Sequence, residues 1–401
     1  MNSLKAKLNV TYCCSQALYW MTYCTIISTA SGYLAAYSYS STELGLILAV
    51  SYAISTALQQ ILAGFIDKSK KITLPALMLV ILAVLGLCEA FLFTCSSRSV
   101  AMTGVFTIMA VWIMTLQPLI NAYCFTLSKT GEAVNFGVAR SMGSLFFSVM
   151  SLIVGNILEF RSANLAALAG FIVIILMAIS IIIANSFAKG HAINADTTSA
   201  EIISESVTEE KTNLIKKYST FFIFLAGIVC FTYGHSLINS FWHQITGEVG
   251  GNDGDMGGLL AVQAIVELPA MIFFNKLKDK FGTKNLLIMA AIMYSVKAGV
   301  TFLAGSVPML YFSVLFEAFA FAIFIPGGVQ LVNEELDERD AVKGQAFITG
   351  AITIAYLLSN VSGGLLIDNL GVKMALLAGF IVSSVGSLIS FIGLVKMKKT
   401  Y

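Results

Sequence analysis

The sequence predicts an all-α membrane protein with twelve transmembrane helices in two six-helix, pseudo-symmetric bundles. Three observations support this prediction. Hydrophobic residues make up 57% of the 401 residues and charged residues 11%, a balance that no soluble domain of this size needs. Apolar segments of about twenty residues or more, enough to cross a hydrocarbon core, recur along the whole chain. A polar segment near the middle separates them into two groups of six.

The apolar segments give the predicted spans in order. In the first half they cover residues 10–37, 43–66, 73–95, 99–127, 136–159 and 163–187. In the second half they cover residues 218–245, 256–275, 285–305, 308–332, 345–367 and 374–395. The first run follows Lys5 and Lys7, is too long for a signal-peptide core and has no small-residue cleavage pattern. We therefore interpret it as the first helix.

Lysine and arginine predict the orientation of these spans. Of the 24 Lys and Arg residues, nineteen fall in segments that face the cytoplasm if the N-terminus is inside. Outer segments hold only Arg98, Arg161 and Lys373, and Arg140 and Lys297 lie within spans. The positive-inside rule thus predicts a multi-pass protein of the cell (plasma or inner) membrane with both termini cytoplasmic.

The polar segment in the middle covers residues 188–217 and mixes glutamates with lysines. It predicts a cytoplasmic linker between an N-terminal bundle of residues 1–187 and a C-terminal bundle of residues 218–401. A solvated connector and a short amphipathic helix on the membrane surface both fit its pattern.

The two halves also carry the same kind of charged pair after equivalent spans. The pair Asp67-Lys68 follows the second span, and the pair Asp279-Lys280 follows the eighth, an offset of 212 residues. Repeats of this kind are typical of transporters built by duplication.

Three charged residues, Glu267, Lys297 and Glu317, lie inside predicted spans at a similar depth. An isolated charge at a helix centre costs roughly 2.5 to 3.5 kcal/mol on insertion scales, so such residues face a bundle interior or a water-filled path. A lysine within reach of two glutamates would stabilise one carboxylate and leave the other able to take a proton from outside and release it inside. We predict proton coupling by these three residues, with a structural ion pair as the alternative.

Six plus six helices, a central loop and Asp-Lys turns after spans two and eight resemble the major facilitator superfamily. The signature of that superfamily after span two is Gly, three residues, Asp and then basic residues, and here Ala63 stands at the Gly position. A cleaner version runs from Gly364 to Asp368 after span eleven. The resemblance implies that such turns act as gates. It assigns gating to Asp67, Lys68, Asp279, Lys280 and Asp368.

Within that superfamily the chain resembles the oligosaccharide:proton symporter (lactose permease-like) branch. The run 135–140 resembles one that ends in a sugar-binding arginine, which implies that the fork of Arg140 hydrogen-bonds the substrate. Phe147 stands where that branch has a tryptophan that stacks on the sugar; ordinary packing is the alternative. By the same match, Glu267 would contact the substrate and Lys297 would take part in proton coupling.

The chain departs from the pattern of that branch in spans four and ten. Glu317 stands where the branch has a histidine, and Ala320 where it has its proton-carrying glutamate. Asn121 or Ala122 matches an acidic sugar-binding position. These departures argue against lactose as the substrate but leave a means of proton coupling.

Polar and aromatic residues of spans one and seven are further candidates for substrate contact, because their amide, hydroxyl and ring groups suit a polyol. Tyr and Trp are equally at home in interfacial belts. These candidates are Gln16, Tyr19, Trp20, Tyr233 and Asn239. We interpret His235 and His243 as hydrogen-bonded helix histidines rather than a proton relay. For Glu89, contact with an outer vestibule and snorkelling to the interface are the alternatives.

The sequence predicts a transporter and not an enzyme. It has no Gly-rich loop ending in Gly-Lys-Ser/Thr, no Ser/His/Asp set and no His/Glu metal motif, so we expect no cofactor or metal and a proton gradient as the driving force. No basic face with interleaved aromatics suggests nucleic acid. The predicted function is proton-coupled symport of a small polar organic solute, such as a sugar or glycoside, by a functional monomer in a lipid bilayer. Symport of nucleosides or aromatic or organic acids, and proton-coupled efflux of drugs or lipophilic compounds, remain open alternatives.

Overall fold

The computed structural model describes residues 3–68, 73–189 and 214–397, and this part of the chain forms helices and no strand. The helices of the first half are α1 (Ser3–Tyr23), α2 (Ala30–Ala35), α3 (Ser41–Lys68), α4 (Leu74–Thr94), α5 (Val100–Ser128), α6 (Phe136–Phe160) and α7 (Asn164–Lys189). Those of the second half are α8 (Leu214–Lys217), α9 (Ser219–Ser240), α10 (Trp242–Glu248), α11 (Asp253–Phe281), α12 (Thr283–Leu303), α13 (Val307–Val314), α14 (Phe321–Glu335), α15 (Glu338–Leu370) and α16 (Val372–Lys396).

Eleven helical segments in the described part of the chain are long and apolar enough to cross a membrane. They correspond to the second through twelfth predicted spans. The first predicted span is an interrupted helix that consists of α1, a π-helical turn over Cys24–Ser28 and α2. Because α1 is polar at its start and the run is broken, this segment is not among the eleven. The helix also begins at Ser3, seven residues before the predicted start.

Two of the predicted spans contain a π-helical or 3₁₀ turn. In span one, the Thr29 hydroxyl bonds the carbonyls of Cys24 and Thr25 at 3.0 and 3.2 Å, which satisfies backbone groups that the π turn displaces. In span ten, a 3₁₀ turn over Leu315–Ala318 separates α13 from α14. Local 3₁₀ and π segments within long helices often occur at functional sites.

Helices α1 to α7 pack mainly against one another, and α9 to α16 do the same. The two sets meet along α3 with α15 and along α6 with α11. The proposed bundle boundaries remain a prediction, and most of the predicted linker, residues 190–213, lies outside the described residues.

The two sets touch closely at one end of the molecule, which we call the outer end after the predicted orientation. It holds the starts of α3 and α11 and the end of α15. A Cβ on Gly155 of α6 would lie 2.7 Å from the Asp253 carbonyl oxygen, so only glycine permits this approach of α6 to α11. Within the described residues, every hydrogen bond between the two sets lies from mid-depth to this end, where Ser148 Oγ bonds the Ala261 carbonyl and Glu159 accepts from the Asp253 amide.

Candidate functional site

A cavity of about 380 Å³ lies between the two sets of helices near mid-depth. The first set contributes Trp20, Tyr23, Ile27, Ser28, Tyr52, Gln117, Arg140, Ser144 and Phe147. The second set contributes His235, Asn239, Ser240, Leu260, Gln263, Ala264, Glu267, Glu317, Phe321, Ile352, Thr353 and Tyr356. Both interrupted segments reach this cavity, because Ile27 and Ser28 belong to the π turn and Glu317 to the 3₁₀ turn. A solute held here would contact both sets at once.

Glu317 and Lys297 form a buried ion pair at the cavity wall. Lys297 Nζ on α12 lies 2.6 Å from Glu317 Oε2, and neither residue exposes any measurable fraction of its surface. Gln263 Nε2 lies 3.5 Å from the other carboxylate oxygen, Oε1. A buried pair with this geometry keeps two charges stable in an apolar bundle, whereas removing either partner leaves an uncompensated charge.

His235 on α9 occupies the other side of the Glu317 carboxylate. Its Nδ1 lies 3.3 Å from Glu317 Oε1, and its Nε2 lies 2.9 Å from Asn239 Nδ2, one helical turn further along. The imidazole stacks on Phe321 with ring centroids 5.4 Å apart and meets the edge of Tyr294 at 5.2 Å. The histidine therefore belongs to the charged cluster, which the sequence analysis did not predict.

Arg140 lies on the opposite wall, on α6 of the first set. Its guanidinium carbon lies 4.0 Å from the centroid of the Trp20 ring, and Nη1 donates to Ser144 Oγ at 2.9 Å. The indole lies against Gly143, where a Cβ would collide with the ring. Stacking on an aromatic face and a fixed planar fork orient the donors of an arginine for a polar ligand.

Glu267 on α11 faces the same cavity from the second set. Its side chain is 8% exposed and makes no ion pair or hydrogen bond with another residue in the described part of the chain. Lys297 was predicted to lie within reach of two glutamates. In the structure it makes a direct ion pair with Glu317 and not with Glu267. Glu267 and Arg140 leave an acceptor and a donor facing one cavity from opposite sets.

Aromatic rings complete the walls. Tyr52 of α3 and Tyr356 of α15 meet across the two sets with ring centroids 4.8 Å apart. Tyr23 packs on Trp20 at 5.4 Å, and Phe147 lies on the same cavity surface. Such rings offer flat apolar faces beside the polar groups.

Four predicted contact residues lie outside the cavity lining. Tyr19 is fully buried and donates to the Ile113 carbonyl at 3.3 Å, and Gln16 bonds Asn121 Oδ1 at 3.1 Å. Tyr233 bonds Ser362 at 2.7 Å. These groups join helices within one set, whereas Trp20 and Asn239 line the cavity. Glu89, which is 2% exposed, does not snorkel to the interface.

The predicted gating residues fall into three groups. Asp368 accepts hydrogen bonds from the backbone amides of Ser41 and Thr42. Asp279 lies at the opposite end of the molecule with its nearest cation, Lys278, at 3.9 Å, and Lys280 lies over the Phe281 ring. The side chains of the third group, Asp67 and Lys68, lie outside the described residues.

Several cavity residues were missed from the sequence, although helical spacing from the predicted residues could have found some of them. Gln263 precedes Glu267 by four residues and Phe321 follows Glu317 by four, the separation of neighbours on one helix face. His235, which precedes Asn239 by four residues, fits the same spacing, whereas Tyr52 and Tyr356 gave no such signal. In the described residues, no group of three or more His, Cys, Asp or Glu side chains is placed to hold a metal ion.

Comparison with known proteins gives matches over the whole chain and over part of it. The family described as "MFS_1 like family" matches residues 16–378. Multidrug resistance protein 2 of Bacillus subtilis (strain 168) is 24% identical over 170 residues, 42% of this chain and 40% of that protein. Riboflavin transporter RibZ of Clostridioides difficile (strain 630) is 23% identical over 158 residues, 39% of this chain and 34% of that protein. The chain thus matches less than half the length of each of these two relatives.

The fold also matches a solved structure along its length. The crystal structure of nucleoside transporter NupG superposes with a TM-score of 0.76 at 15% sequence identity, covering 99% of this chain and 100% of that one. At this level of identity the match concerns the fold alone.

Proposed function

The chain belongs to the MFS_1 like family, and on that premise we propose that it is a proton-coupled symporter for a small polar organic solute, such as a sugar or glycoside. It would work by alternating access, with the cavity opening to one side of the membrane at a time. The resemblance to the major facilitator superfamily is confirmed by this membership and by the fold. The narrower resemblance to the oligosaccharide:proton symporter branch stays a prediction.

One observation carries the proposal: a buried Lys297–Glu317 ion pair at 2.6 Å lies on the wall of a cavity shared by both sets of helices. Ionisable residues within membrane spans are costly and mark ion pathways or proton relays. A proton on Glu317 would cancel its charge and release Lys297. Binding of the proton would therefore change the electrostatics of the wall that the solute touches.

The charges that face the cavity favour a neutral solute. Arg140 and Glu267 contribute one positive and one negative charge from opposite sets, and Lys297 is already matched by Glu317. A solute hydroxyl can accept from Arg140 while a neighbouring hydroxyl donates to Glu267, so a polyol would bridge the two sets. The rings of Trp20 and Tyr356 would stack on a sugar or an aromatic aglycone.

One proton per solute supplies enough driving force. A membrane potential of 100 mV contributes roughly 2.3 kcal/mol per charge, and roughly 1.4 kcal/mol corresponds to tenfold in concentration. Symport of one proton would thus sustain about fifty-fold accumulation of a neutral solute before any pH gradient is added. A single coupling carboxylate meets this requirement.

Efflux is the second candidate function. Six aromatic rings and the carboxylate of Glu267 around one cavity also suit a lipophilic cation. One relative is named as a multidrug resistance protein, and other similar proteins are named as riboflavin and nucleoside transporters. Arg140 on the cavity wall opposes a cationic ligand, so we rank symport first.

The test uses purified protein in proteoliposomes in a weakly buffered medium, with external pH recorded as solutes are added. The panel contains lactose, p-nitrophenyl glucoside, uridine, benzoate and ethidium. Symport predicts alkalinisation with one neutral class and its loss in Glu317→Gln. Glu248→Gln is the matched control, because it makes the same substitution at an exposed residue outside the cavity and should behave as wild type.

The substrate side of the site is tested with the solute that gives the signal. Arg140→Lys keeps the charge but loses the fork, so we expect the concentration for half-maximal alkalinisation to rise by about tenfold or more. Alkalinisation that persists in Glu317→Gln would overturn this assignment of coupling. Acidification with ethidium and none of the neutral solutes would instead support efflux.

A further inference from the structure

We propose that His235 relays protons between the cavity and Glu317, an inference that rests on the proposed proton coupling. The side chain is 4% exposed, yet it lines the cavity together with Asn239. Its two ring nitrogens lie near different residues, with Nδ1 at 3.3 Å from Glu317 Oε1 and Nε2 at 2.9 Å from Asn239 Nδ2. A histidine with one nitrogen at a carboxylate and the other at a cavity is arranged as a shuttle.

Other groups hold the ring beside Glu317, which lies on the same cavity wall. Phe321 covers one face of the imidazole, and Tyr294 meets its plane with an edge. Glu317 Oε2 is occupied by Lys297, so Oε1 is the oxygen that can accept a proton. Oε1 is reached from the His235 side and the Gln263 side, and an amide cannot carry a proton as an imidazole does.

The titratable groups around His235 come from three other elements. Glu317 lies on the 3₁₀ turn, Lys297 and Tyr294 lie on α12, and Glu267 lines the same cavity on α11. Lys297 opposes a lasting positive charge on the ring, while Glu317 favours one. A relay needs the imidazolium only as a short-lived intermediate. The opposing effects of Lys297 and Glu317 suit a ring that is neutral between transfers.

The hydrogen bonds define the tautomer in the state described here. Asn239 Nδ2 donates to Nε2, so Nε2 is unprotonated and the ring proton is on Nδ1. Nδ1 makes no hydrogen bond among the described residues, so the ring has to turn slightly to align its N–H with Glu317 Oε1, 3.3 Å away. To load a proton, Nε2 takes one from the cavity, and Nδ1 gives its own to Glu317 Oε1. The carboxylate becomes a neutral acid, and the ring ends as the Nε2–H tautomer.

Release reverses each transfer. Glu317 returns its proton to Nδ1, and Nε2 gives one back to the cavity when the cavity faces the other side of the membrane. The ring regains its starting tautomer, so one cycle moves one proton with no net change in the histidine. Asn239 serves both tautomers, because its Oδ1 has no partner among the described residues and can face an Nε2–H after rotation of the amide.

The experiment separates net symport from solute exchange in proteoliposomes. Exchange of radiolabelled for unlabelled solute, using the panel compound that drives alkalinisation in wild type, needs no net proton movement. We expect His235→Ala to slow solute-driven alkalinisation by about tenfold or more, while exchange falls by much less. Imidazole added to the medium should restore alkalinisation in His235→Ala, because a small free base can occupy the space of the lost ring. His243→Ala is the matched control, since His243 does not line the cavity, and its alkalinisation should not respond to imidazole.

Each outcome decides between the relay and a structural role. Equal losses of exchange and alkalinisation, with no response to imidazole in either His235→Ala or His235→Gln, would overturn the relay. His235→Gln keeps side-chain volume and a hydrogen-bond donor, so normal alkalinisation in that variant would also overturn it. Coupling that survives in Glu317→Gln would overturn the assignment of coupling to Glu317 and the relay with it, whereas loss in Glu317→Gln with normal His235 variants would refute the relay alone. No alkalinisation with any solute in wild type would refute the proposed function itself.

Discussion

Asp368, at the outer end of α15, accepts a hydrogen bond of 2.7 Å from the backbone N–H of Thr42, in the first turn of α3. Its other carboxylate oxygen accepts from the Ser41 amide at 3.0 Å. The first N–H groups of a helix have no intrahelical partner, and the helix dipole favours an anion there. Because α3 and α15 belong to different sets of helices, this contact has to break before the outer end can open.

Replacing Asp368 by Asn should therefore favour the outer-open state. The amide retains one acceptor but loses the charge that strengthens both bonds, and we expect the open population to rise about tenfold. The measurement is the distance between spin labels at Ser97 and Ser306, exposed on outer loops of the two sets, in a cysteine-free background. Asn369→Ala changes an adjacent residue that bonds only within its own helix, and it should leave the distance distribution as it was. The same unchanged distribution in Asp368→Asn would refute the latch.

A second prediction concerns Gly257, where α11 crosses α6. A Cβ at this position would lie 2.9 Å from the Cα of Gly155, and backbone cannot move aside as a flexible side chain can. Overpacking of this kind costs roughly 1–3 kcal/mol, which would shift the outer end from closed toward open by about tenfold. Gly257→Ala should lengthen the same spin-label distance and slow uptake.

Gly350→Ala is the control for that substitution, because a Cβ on Gly350 would meet nothing within 4 Å and the residue also lies inside a long helix. Both variants gain the helix propensity of alanine. If the outer end of Gly257→Ala closed as fully as that of Gly350→Ala, and both variants transported equally well, closure would not depend on the close approach of α11 to α6.

The sequence predicted the spans and the charged cluster because both depend on local properties. Length and hydropathy determine which segments can cross a bilayer, and a charge within such a segment needs a partner, as Lys297 and Glu317 provide for each other. The helical period, however, places adjacent residues about 100° apart around the axis. Thus Trp20 faces the cavity while its neighbour Tyr19 faces α5. No local pattern of the sequence indicated which of the two side chains would face the cavity.

Contacts between distant segments could not be predicted in this way. His235 joins the cluster only because α9 packs against α12, and Tyr52 meets Tyr356 only because α3 packs against α15. The turns that interrupt spans one and ten also gave no hydropathy signal, since apolar residues continue through both. These features decide which polar residues line the cavity, so the candidate site was predicted in part and the fold more fully.

The buried ion pair gives a third prediction, in which two substitutions are less harmful than one. Lys297→Met removes the cation and leaves a carboxylate in an apolar bundle, which costs roughly 3–5 kcal/mol when a buried pair is broken. Lys297→Met combined with Glu317→Gln leaves neither charge, so the double variant should recover most of that loss. Thermal unfolding of wild type, both single variants and the double variant in detergent measures the coupling between the two residues.

The same four proteins separate stability from proton coupling. If Glu317 carries the proton, the double variant should be stable, bind and exchange solute, and yet give no alkalinisation, because it has lost the titrating group. Losses of stability that simply add in the double variant would mean that the two charges do not stabilise each other, despite their separation of 2.6 Å. A stable double variant that still moves protons would place coupling elsewhere, with Glu267 the remaining carboxylate on the cavity wall.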